Sequence, residues 1–91
     1  MSPQAIASPE DLERFAHELK QFNAQLRDSM SRLQGQFSRL GDTWRDQEHQ
    51  KFAQEFEQTM RVIHRLIQVS DQHIPFLLRK AQRVRDYLQQ R

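Results

Sequence analysis

The 91-residue chain is 36% hydrophobic and 29% charged, a composition that suits one domain with a thin hydrophobic core. It has no Cys, which excludes disulfides and thiolate metal sites. The formal net charge of +2 conceals a gradient, because residues 1–60 hold seven Lys and Arg against ten Asp and Glu, whereas residues 61–91 hold seven against two. This basic second part favours an acidic partner surface, nucleic acid, or simple compensation of a helix dipole.

The first predicted element is a helix over about residues 9–40, preceded by a flexible tail at residues 1–8. The tail has neither the basic nor the apolar region of a cleaved secretion signal. Ser8-Pro9-Glu10-Asp11 is a helix-start signal, since Ser caps the first amides, Pro is tolerated in the first turn and the acids complement the helix dipole. Apolar residues then recur in two columns: Leu12, Leu19, Leu26, Leu33 and Leu40, and Phe15, Phe22, Met30, Phe37 and Trp44.

A turn is predicted at residues 41–46, where the chain reverses direction. Gly41 predicts a left-handed residue that ends the first helix, and Asp42 predicts a cap for the next one. We expect Gly41, Asp42, Trp44 and Asp46 to form the turn and a partner-docking surface. Trp44 either packs over the end of the helices or anchors a partner, since Trp is enriched among residues that dominate binding energy.

The second predicted helix covers about residues 47–90. Two columns alternate at spacings of three and four: Phe56, Ile63, Ser70, Leu77 and Val84, and Met60, Ile67, Ile74, Ala81 and Leu88. Pro75 predicts a kink in a continuous helix, with a break at residues 71–73 as the alternative. At about 1.5 Å per residue, the first helix is about 20 Å shorter than the second. The last dozen residues are therefore expected to overhang, and Ala81, Val84 and Leu88 are expected to be covered by a second subunit.

These elements predict an all-α fold, an antiparallel two-helix hairpin that dimerises into a four-helix bundle. A short hairpin buries each helix against only one neighbour, which favours a partner chain, either a second copy or a different helical hairpin. The residues expected in the core and dimer stripe are Leu12, Phe15, Leu19, Phe22, Leu26, Leu33, Phe37, Leu40, Phe56, Met60, Ile63, Ile67, Ile74 and Leu77.

The C-terminal end is expected to recognise a partner, or else to be a solvated helix face with favourable dipole charges. Its residues are Arg79, Lys80, Arg83, Tyr87, Leu88 and Arg91. No helix-turn-helix pattern precedes them, so nucleic-acid binding is less favoured. Only Asp46 and His49 combine an acid with a His three residues later, whereas a di-iron bundle requires two such Glu–His pairs. We expect no catalytic activity, cofactor, metal or small-molecule substrate, and no membrane span.

The length, the two-helix pattern and Trp44 in the turn resemble the Trp-Xaa-Gly (WXG) family, the small helical-hairpin substrates of type VII secretion systems. Trp44-Arg45-Asp46 keeps the Trp of the family's turn motif without its Gly, and Gly41 lies three residues earlier. The family's C-terminal export tag is similar to Tyr-Xaa-Xaa-Xaa-Asp/Glu. The segment from Tyr87 to Arg91 keeps the Tyr and the spacing but ends in a base.

The resemblance implies a non-enzymatic protein that is made in the cytoplasm and secreted without a cleaved signal peptide. It would be an exported substrate, or the helical partner that escorts another substrate. A secretion ATPase or the helical domain of a larger effector would then be a binding partner. Two other readings of the residues are an intracellular coiled-coil adaptor or scaffold and, less favoured, a nucleic-acid-binding helical bundle.

Overall fold

The computed structural model describes residues 7–90, which form two α-helices joined by a turn at residues 41–46. The helices are α1 (Pro9–Leu40) and α2 (Gln47–Gln89). They lie side by side and antiparallel in a body that measures 70 × 24 × 16 Å. The all-helical hairpin expected from the sequence is therefore confirmed. Residues 1–6 of the expected N-terminal tail and Arg91 of the expected C-terminal recognition set lie outside the described residues.

Helix α1 begins where its cap signal indicates. Ser8 has extended backbone angles, φ −72° and ψ 124°, and its Oγ accepts a hydrogen bond from the Asp11 amide at 3.2 Å. Pro9 occupies the first turn, where its missing amide removes no intrahelical hydrogen bond. Glu10 and Asp11 add negative charge at the positive end of the helix dipole.

The turn differs from two details of its prediction. Gly41 has φ −65° and ψ −13°, a right-handed conformation, and no residue from 7 to 90 has a positive φ. The Trp44 amide donates to the Leu40 carbonyl at 2.9 Å, so the chain reverses through right-handed turns over six residues and requires no left-handed residue. The cap of α2 is Asp46, whose carboxylate accepts from the His49 amide at 3.0 Å, and not Asp42, which lies too far from the first helical residue.

Helix α2 is continuous through Pro75, which excludes the break considered at residues 71–73. Buried residues lie where the helices meet, along what we call the seam, and all of them except Val84 are separated by seven residues or a multiple of seven within their helix. In α1 they are Pro9, Ala16, Asn23 and Met30, and in α2 they are Met60, Ile67, Ala81 and Val84. The apolar columns identified in the sequence omit Ala16 and Asn23, because neither residue is a large hydrophobe.

The pairing of the helices is set by contacts along the whole seam. Facing residues have numbers that add to about 93, as for Asn23 with Ser70 and for Phe37 with Phe56. Pro9 therefore faces Val84, and α1 reaches almost to the end of α2. Ala81 is 0% exposed and Val84 is 7% exposed, so the expectation that a second subunit covers them is wrong.

The overhang of α2 at the free ends is shorter than expected, because the first residues of α2 extend past Leu40, the last residue of α1. An overhang of a dozen residues requires Leu40 to face Asp46, whereas the observed pairing places Leu40 opposite Ala53. The first turn and a half of α2 instead pack around the turn. Phe37 stacks on His49 with ring centroids 5.3 Å apart, and it contacts Phe52 at 5.7 Å.

Candidate partner-binding surface

A polar layer interrupts the seam and fixes the level at which the two helices meet. Asn23 is 1% exposed; its Nδ2 donates to Asp71 Oδ1 at 2.9 Å, and its Oδ1 accepts from Ser70 Oγ at 3.1 Å. Arg27 also donates to Asp71. The hydrogen bond from Arg27, followed by that from Asn23, holds the pKa of Asp71 below its ordinary value. Because an unpaired Asn is costly to bury, this layer disfavours a shifted register.

A second polar connection joins the free ends of the helices. Arg85 Nη2 donates to Glu13 Oε1 at 2.7 Å and to Glu10 Oε2 at 3.4 Å. The hydrogen bond from Arg85 lowers the pKa of Glu13, and the same pairing raises the pKa of Arg85. Arg85 is therefore paired with acids of α1, and in this it differs from the exposed cations Arg79, Lys80 and Arg83.

One side of the hairpin exposes a row of large hydrophobic side chains, which we call the apolar flank. On α1 they are Phe15 (58% exposed), Phe22 (58%), Leu33 (46%) and Leu40 (44%), and on α2 they are Val62 (53%), Leu66 (60%) and Phe76 (53%). The two rows meet in a shallow groove of about 330 Å³ that Phe22 and Leu66 line together. Contiguous exposed apolar surface of this kind marks an interaction site.

The opposite side, which we call the polar flank, has different chemistry. Its groove of about 580 Å³ is lined by Arg27, Ser31, Gln34, Glu57, Arg61, His64, Arg65 and Gln68 around the buried Met30 and Met60. Arg61 donates to Glu57 at 3.2 Å and to Gln58 at 3.3 Å. Charged and amide groups line this side, whereas seven large hydrophobic side chains are exposed on the apolar flank.

Of the predicted turn residues, Trp44 belongs to an aromatic cluster at one end of the hairpin. Trp44 lies edge-on to His49 at 5.0 Å and is tilted against Phe52 at 6.0 Å. Trp44 and His49 are half-buried, and Phe52 is 44% exposed. His49 Nε2 is buried without a hydrogen-bond partner among the described residues. The Trp therefore packs on its own chain while part of the ring stays accessible, so its structural and docking roles are compatible.

The sequence-predicted C-terminal residues lie at the opposite end, and those described are exposed. Tyr87 is 63% exposed and Leu88 is 53% exposed, and the side chains of Arg79, Lys80 and Arg83 are also open to solvent. Arg79 lies on a different side of α2 from the other two cations. Lys80 and Arg83 follow Phe76 on one helix face, with Tyr87 completing the sequence at spacings of four, three and four.

The predicted stripe residues divide between the seam and the apolar flank. Ile67 and Met60 are buried, and six of the others are half-buried on α1 and α2 alongside the seam: Leu12, Leu19, Leu26, Phe37, Phe56 and Ile63. Ile74 and Leu77 are also half-buried. Phe15, Phe22, Leu33 and Leu40 are exposed on the flank. The predicted stripe does not include Val62, Leu66 and Phe76, although their spacing of four and ten residues indicates a second apolar face on α2.

Within residues 7–90, no group of three or more His, Cys, Asp and Glu side chains is placed to hold a metal ion. In the same part of the chain, neither helix has the length and apolar character needed to cross a membrane. The titratable groups whose pKa is clearly displaced, Glu13, Asp71 and Arg85, all serve the pairing of α1 with α2.

Comparison with known proteins extends over both helices and the turn. The family model WXG100, described as proteins of 100 residues with WXG, matches residues 4–87. Among solved structures, the chain is similar to a secreted protein, ESXB, from Bacillus anthracis str. Sterne. The two are 27% identical, the match covers 94% of this chain and 91% of that chain, and the TM-score is 0.78. A search of the curated proteins finds no match.

Proposed function

The chain belongs to the WXG100 family, and we propose that it is an export-associated helical hairpin of a type VII or related secretion system that acts by binding proteins. The observation that carries this proposal is the apolar flank, on which seven large hydrophobic side chains are between 44% and 60% exposed. A second helical hairpin laid on this flank would bury both rows and complete a four-helix bundle. The partner is a second copy or a different hairpin.

Export is supported by the similarity to ESXB, a secreted protein. The chain would be made in the cytoplasm and leave without a cleaved signal peptide, either as a substrate itself or as the escort of another substrate. Arg91 stands where the family's tag has an acid, which favours the escort role. The exposed Tyr87 and Leu88 and the accessible edge of Trp44 would meet the secretion ATPase or the helical domain of a larger effector.

The proposal is tested by measuring the chain in the culture medium of its own host, with the secretion ATPase intact and with it deleted. A cytoplasmic enzyme measured in the same medium controls for lysis. We expect the chain in the medium only when the ATPase is present. Equal amounts with and without the ATPase, or retention inside both cells, would overturn the export role and support the intracellular adaptor.

The pairing surface is tested by two substitutions that add the same charge to opposite flanks. Leu66→Asp places a carboxylate in the apolar flank, where a partner would have to bury it, and we expect it to abolish pairing and export. Gln68→Asp adds the same charge to the polar flank and should change neither pairing nor export. If the two variants pair and are exported equally, the apolar flank is not the binding surface.

A further inference from the structure

We propose that the polar flank is a second binding surface and that it takes an acidic amphipathic helix from a partner protein. An apolar residue of that helix would pack against Phe37 and Phe56, and its carboxylates would lie over Arg61 and Arg65. This binding goes beyond the export-associated function, because it does not depend on pairing through the apolar flank. The groove on the polar flank carries the inference through its length and through the order of the residues that line it.

Two cavities on the polar flank join into one groove between α1 and α2. The first, of about 580 Å³, begins beside Arg27, and the second, of about 380 Å³, continues to Ser38 near the turn. The two are continuous, because Gln34, Glu57 and Met60 line both. At about 1.5 Å per residue, the groove extends about 17 Å along α1. This length accommodates about three turns of a third helix, which is a recurring way for a helical segment to bind a groove.

The section of the groove farther from the turn has an excess of positive charge. Arg27, Arg61 and Arg65 line it together with one acid, Glu57. Arg27 is bonded to Asp71 and Arg61 to Glu57, whereas Arg65 has no ion-pair partner within residues 7–90. Arg61 and Arg65 are like charges four residues apart, an arrangement that destabilises a helix. A bound carboxylate would relieve this repulsion, so the section favours an acidic partner.

The section of the groove near the turn is apolar. Phe37, Ala53 and Phe56 line it, and all three are half-buried, so part of each side chain is open to the groove. The buried Met30 and Met60 lie where the two sections meet, and Met side chains adapt to the shape of a partner. Nucleic acid is bound mainly by cations that follow its phosphates. A basic section followed by an apolar section instead favours a protein.

The order of the two sections predicts the sequence pattern of the partner helix. Arg61 and Arg65 follow Phe56 by five and nine residues, which corresponds to about 8 Å and 14 Å along α2. A helix lying along the groove would place an apolar residue at Phe56 and acids about two turns away. Residues seven and eight positions apart lie on nearly the same helix face. The partner should therefore carry two acids about seven and eight residues from an apolar anchor.

The probe is a fluorescein-labelled helical peptide of about 14 residues with one Leu anchor and two Glu at this spacing. Two versions, with the Glu before or after the anchor, cover both directions along the groove. Fluorescence anisotropy measures their binding to the full-length protein. We expect one version to bind, and Gln in place of both Glu should weaken its binding by about tenfold or more, since two charge pairs are lost. Added salt should also weaken the acidic peptide, because the cations are exposed.

Two charge reversals, one inside and one outside the groove, locate the site. Arg65→Glu replaces a lining cation, whereas Arg32→Glu makes the same change at an exposed residue of α1 that lies outside both cavities. We expect about tenfold weaker binding for Arg65→Glu and less than about twofold for Arg32→Glu. A peptide with Lys in place of both Glu should bind Arg65→Glu better than it binds the wild type, which a loss of folding would not produce.

The apolar anchor is tested from both sides of the contact. Ser in place of the peptide's Leu, and Ala53→Gln in the protein, should each weaken binding by about fivefold, because an apolar group would then face a polar one. Ala53 is half-buried at the edge of the groove, so Gln leaves Phe37 and Phe56 in place. Unchanged helicity of the variant shows that it folds.

Two neighbouring substitutions separate this surface from the apolar flank. Gln68→Asp places an acid three residues after Arg65, where it neutralises that cation, so it should weaken peptide binding while pairing persists. Leu66→Asp should have the reverse effect, because Leu66 lies on the apolar flank. If both variants lose both kinds of binding, the two flanks are not separate surfaces.

Three further results would overturn the inference. Neither peptide binds the folded protein, or Arg65→Glu and Arg32→Glu weaken binding equally, or a single-stranded DNA of about 14 nucleotides binds more tightly than both peptides and is lost with Arg65→Glu. The last result would assign the groove to nucleic acid. None of them bears on whether the secretion ATPase is required for export, so the proposed function stands or fails separately.

Discussion

The two halves of the seam between α1 and α2 are held by different interactions. Near the turn, Phe37 packs on Phe56 with ring centroids 4.7 Å apart, and Met30, Met60 and Ile67 form the buried cluster. In the half that includes the free ends, the buried residues are smaller, with Ala16 and Ala81 among them, and side-chain hydrogen bonds from Asn23 and Arg85 connect the two helices.

The two halves therefore have different roles: the half near the turn supplies most of the stability, and the other half sets the register of the two helices. Large side chains near the turn bury most of the apolar surface, which is the main source of folding free energy. The small residues let the helices approach, and the Asn23 layer and the Arg85–Glu13 pair set the level at which they do so. Surface ion pairs contribute little to the free energy of unfolding and are sensitive to salt. The free ends should therefore open more readily than the half near the turn.

The largest expected effect comes from truncating the cluster near the turn. Ile67 is 1% exposed, and Ile67→Ala should lower the free energy of unfolding by about 2–4 kcal/mol. The adjacent Leu66 is 60% exposed, so Leu66→Ala should change the unfolding of the isolated chain by only about 0.5 kcal/mol while weakening its pairing. Denaturant unfolding at low protein concentration compares the two variants. Equal losses would contradict the division between the seam and the apolar flank.

A smaller but still substantial loss is expected from the polar layer. Asn23→Ala removes the partner of Ser70 and one hydrogen bond to Asp71, and it should cost about 1–3 kcal/mol. Amide hydrogen exchange should increase mainly in residues 9–26, with the amides near the turn still protected. Uniform exchange along α1 would show that the two halves of the seam unfold together.

Acid should weaken the same half through Asp71 and Glu13. The pKa of Asp71 is lowered by Arg27 and Asn23, and that of Glu13 is lowered by Arg85. A carboxylate with a lowered folded-state pKa stabilises the fold above its ordinary pKa, and this stabilisation is lost as the pH falls through the folded value. We expect a modest fall in melting temperature below about pH 4, since both groups are partly exposed. Asp71→Asn combined with Glu13→Gln should flatten this pH dependence.

The sequence predicted the hairpin because its signals are local. The Ser8 cap, the apolar periodicity and the Trp44 turn each depend on a few neighbouring residues, and the helices form where these signals lie. The level at which the helices meet could not be predicted, because it depends on long-range contacts. Asn23 and Ser70 are 47 residues apart, and nothing in their local sequence marks them as partners.

The candidate surface was predicted less completely than the fold for a related reason. Periodicity identifies apolar residues, but one helix can carry two apolar faces, and only packing shows which of them is covered. Phe22 was expected in the stripe and is exposed, whereas Ala16, a weak hydrophobic signal, is buried. The second face of α2, with Leu66 and Phe76, is visible in the sequence once Ile63 and Ile67 are assigned to the seam side.

The smallest expected effect is a gain near the turn. Gly35 lies in α1, and an added Cβ would have no atom within 4 Å beyond its own helix backbone, so Gly35→Ala should stabilise the protein by about 1 kcal/mol through helix propensity alone. Gly41→Ala is the matched control, because a Cβ there would lie 3.3 Å from the Ser38 carbonyl oxygen and 3.7 Å from His49 Nε2. The crowding of this Cβ should cancel any gain in stability from the higher helix propensity of Ala. If both variants raise the melting temperature equally, the close packing of His49 against the turn does not constrain residue 41.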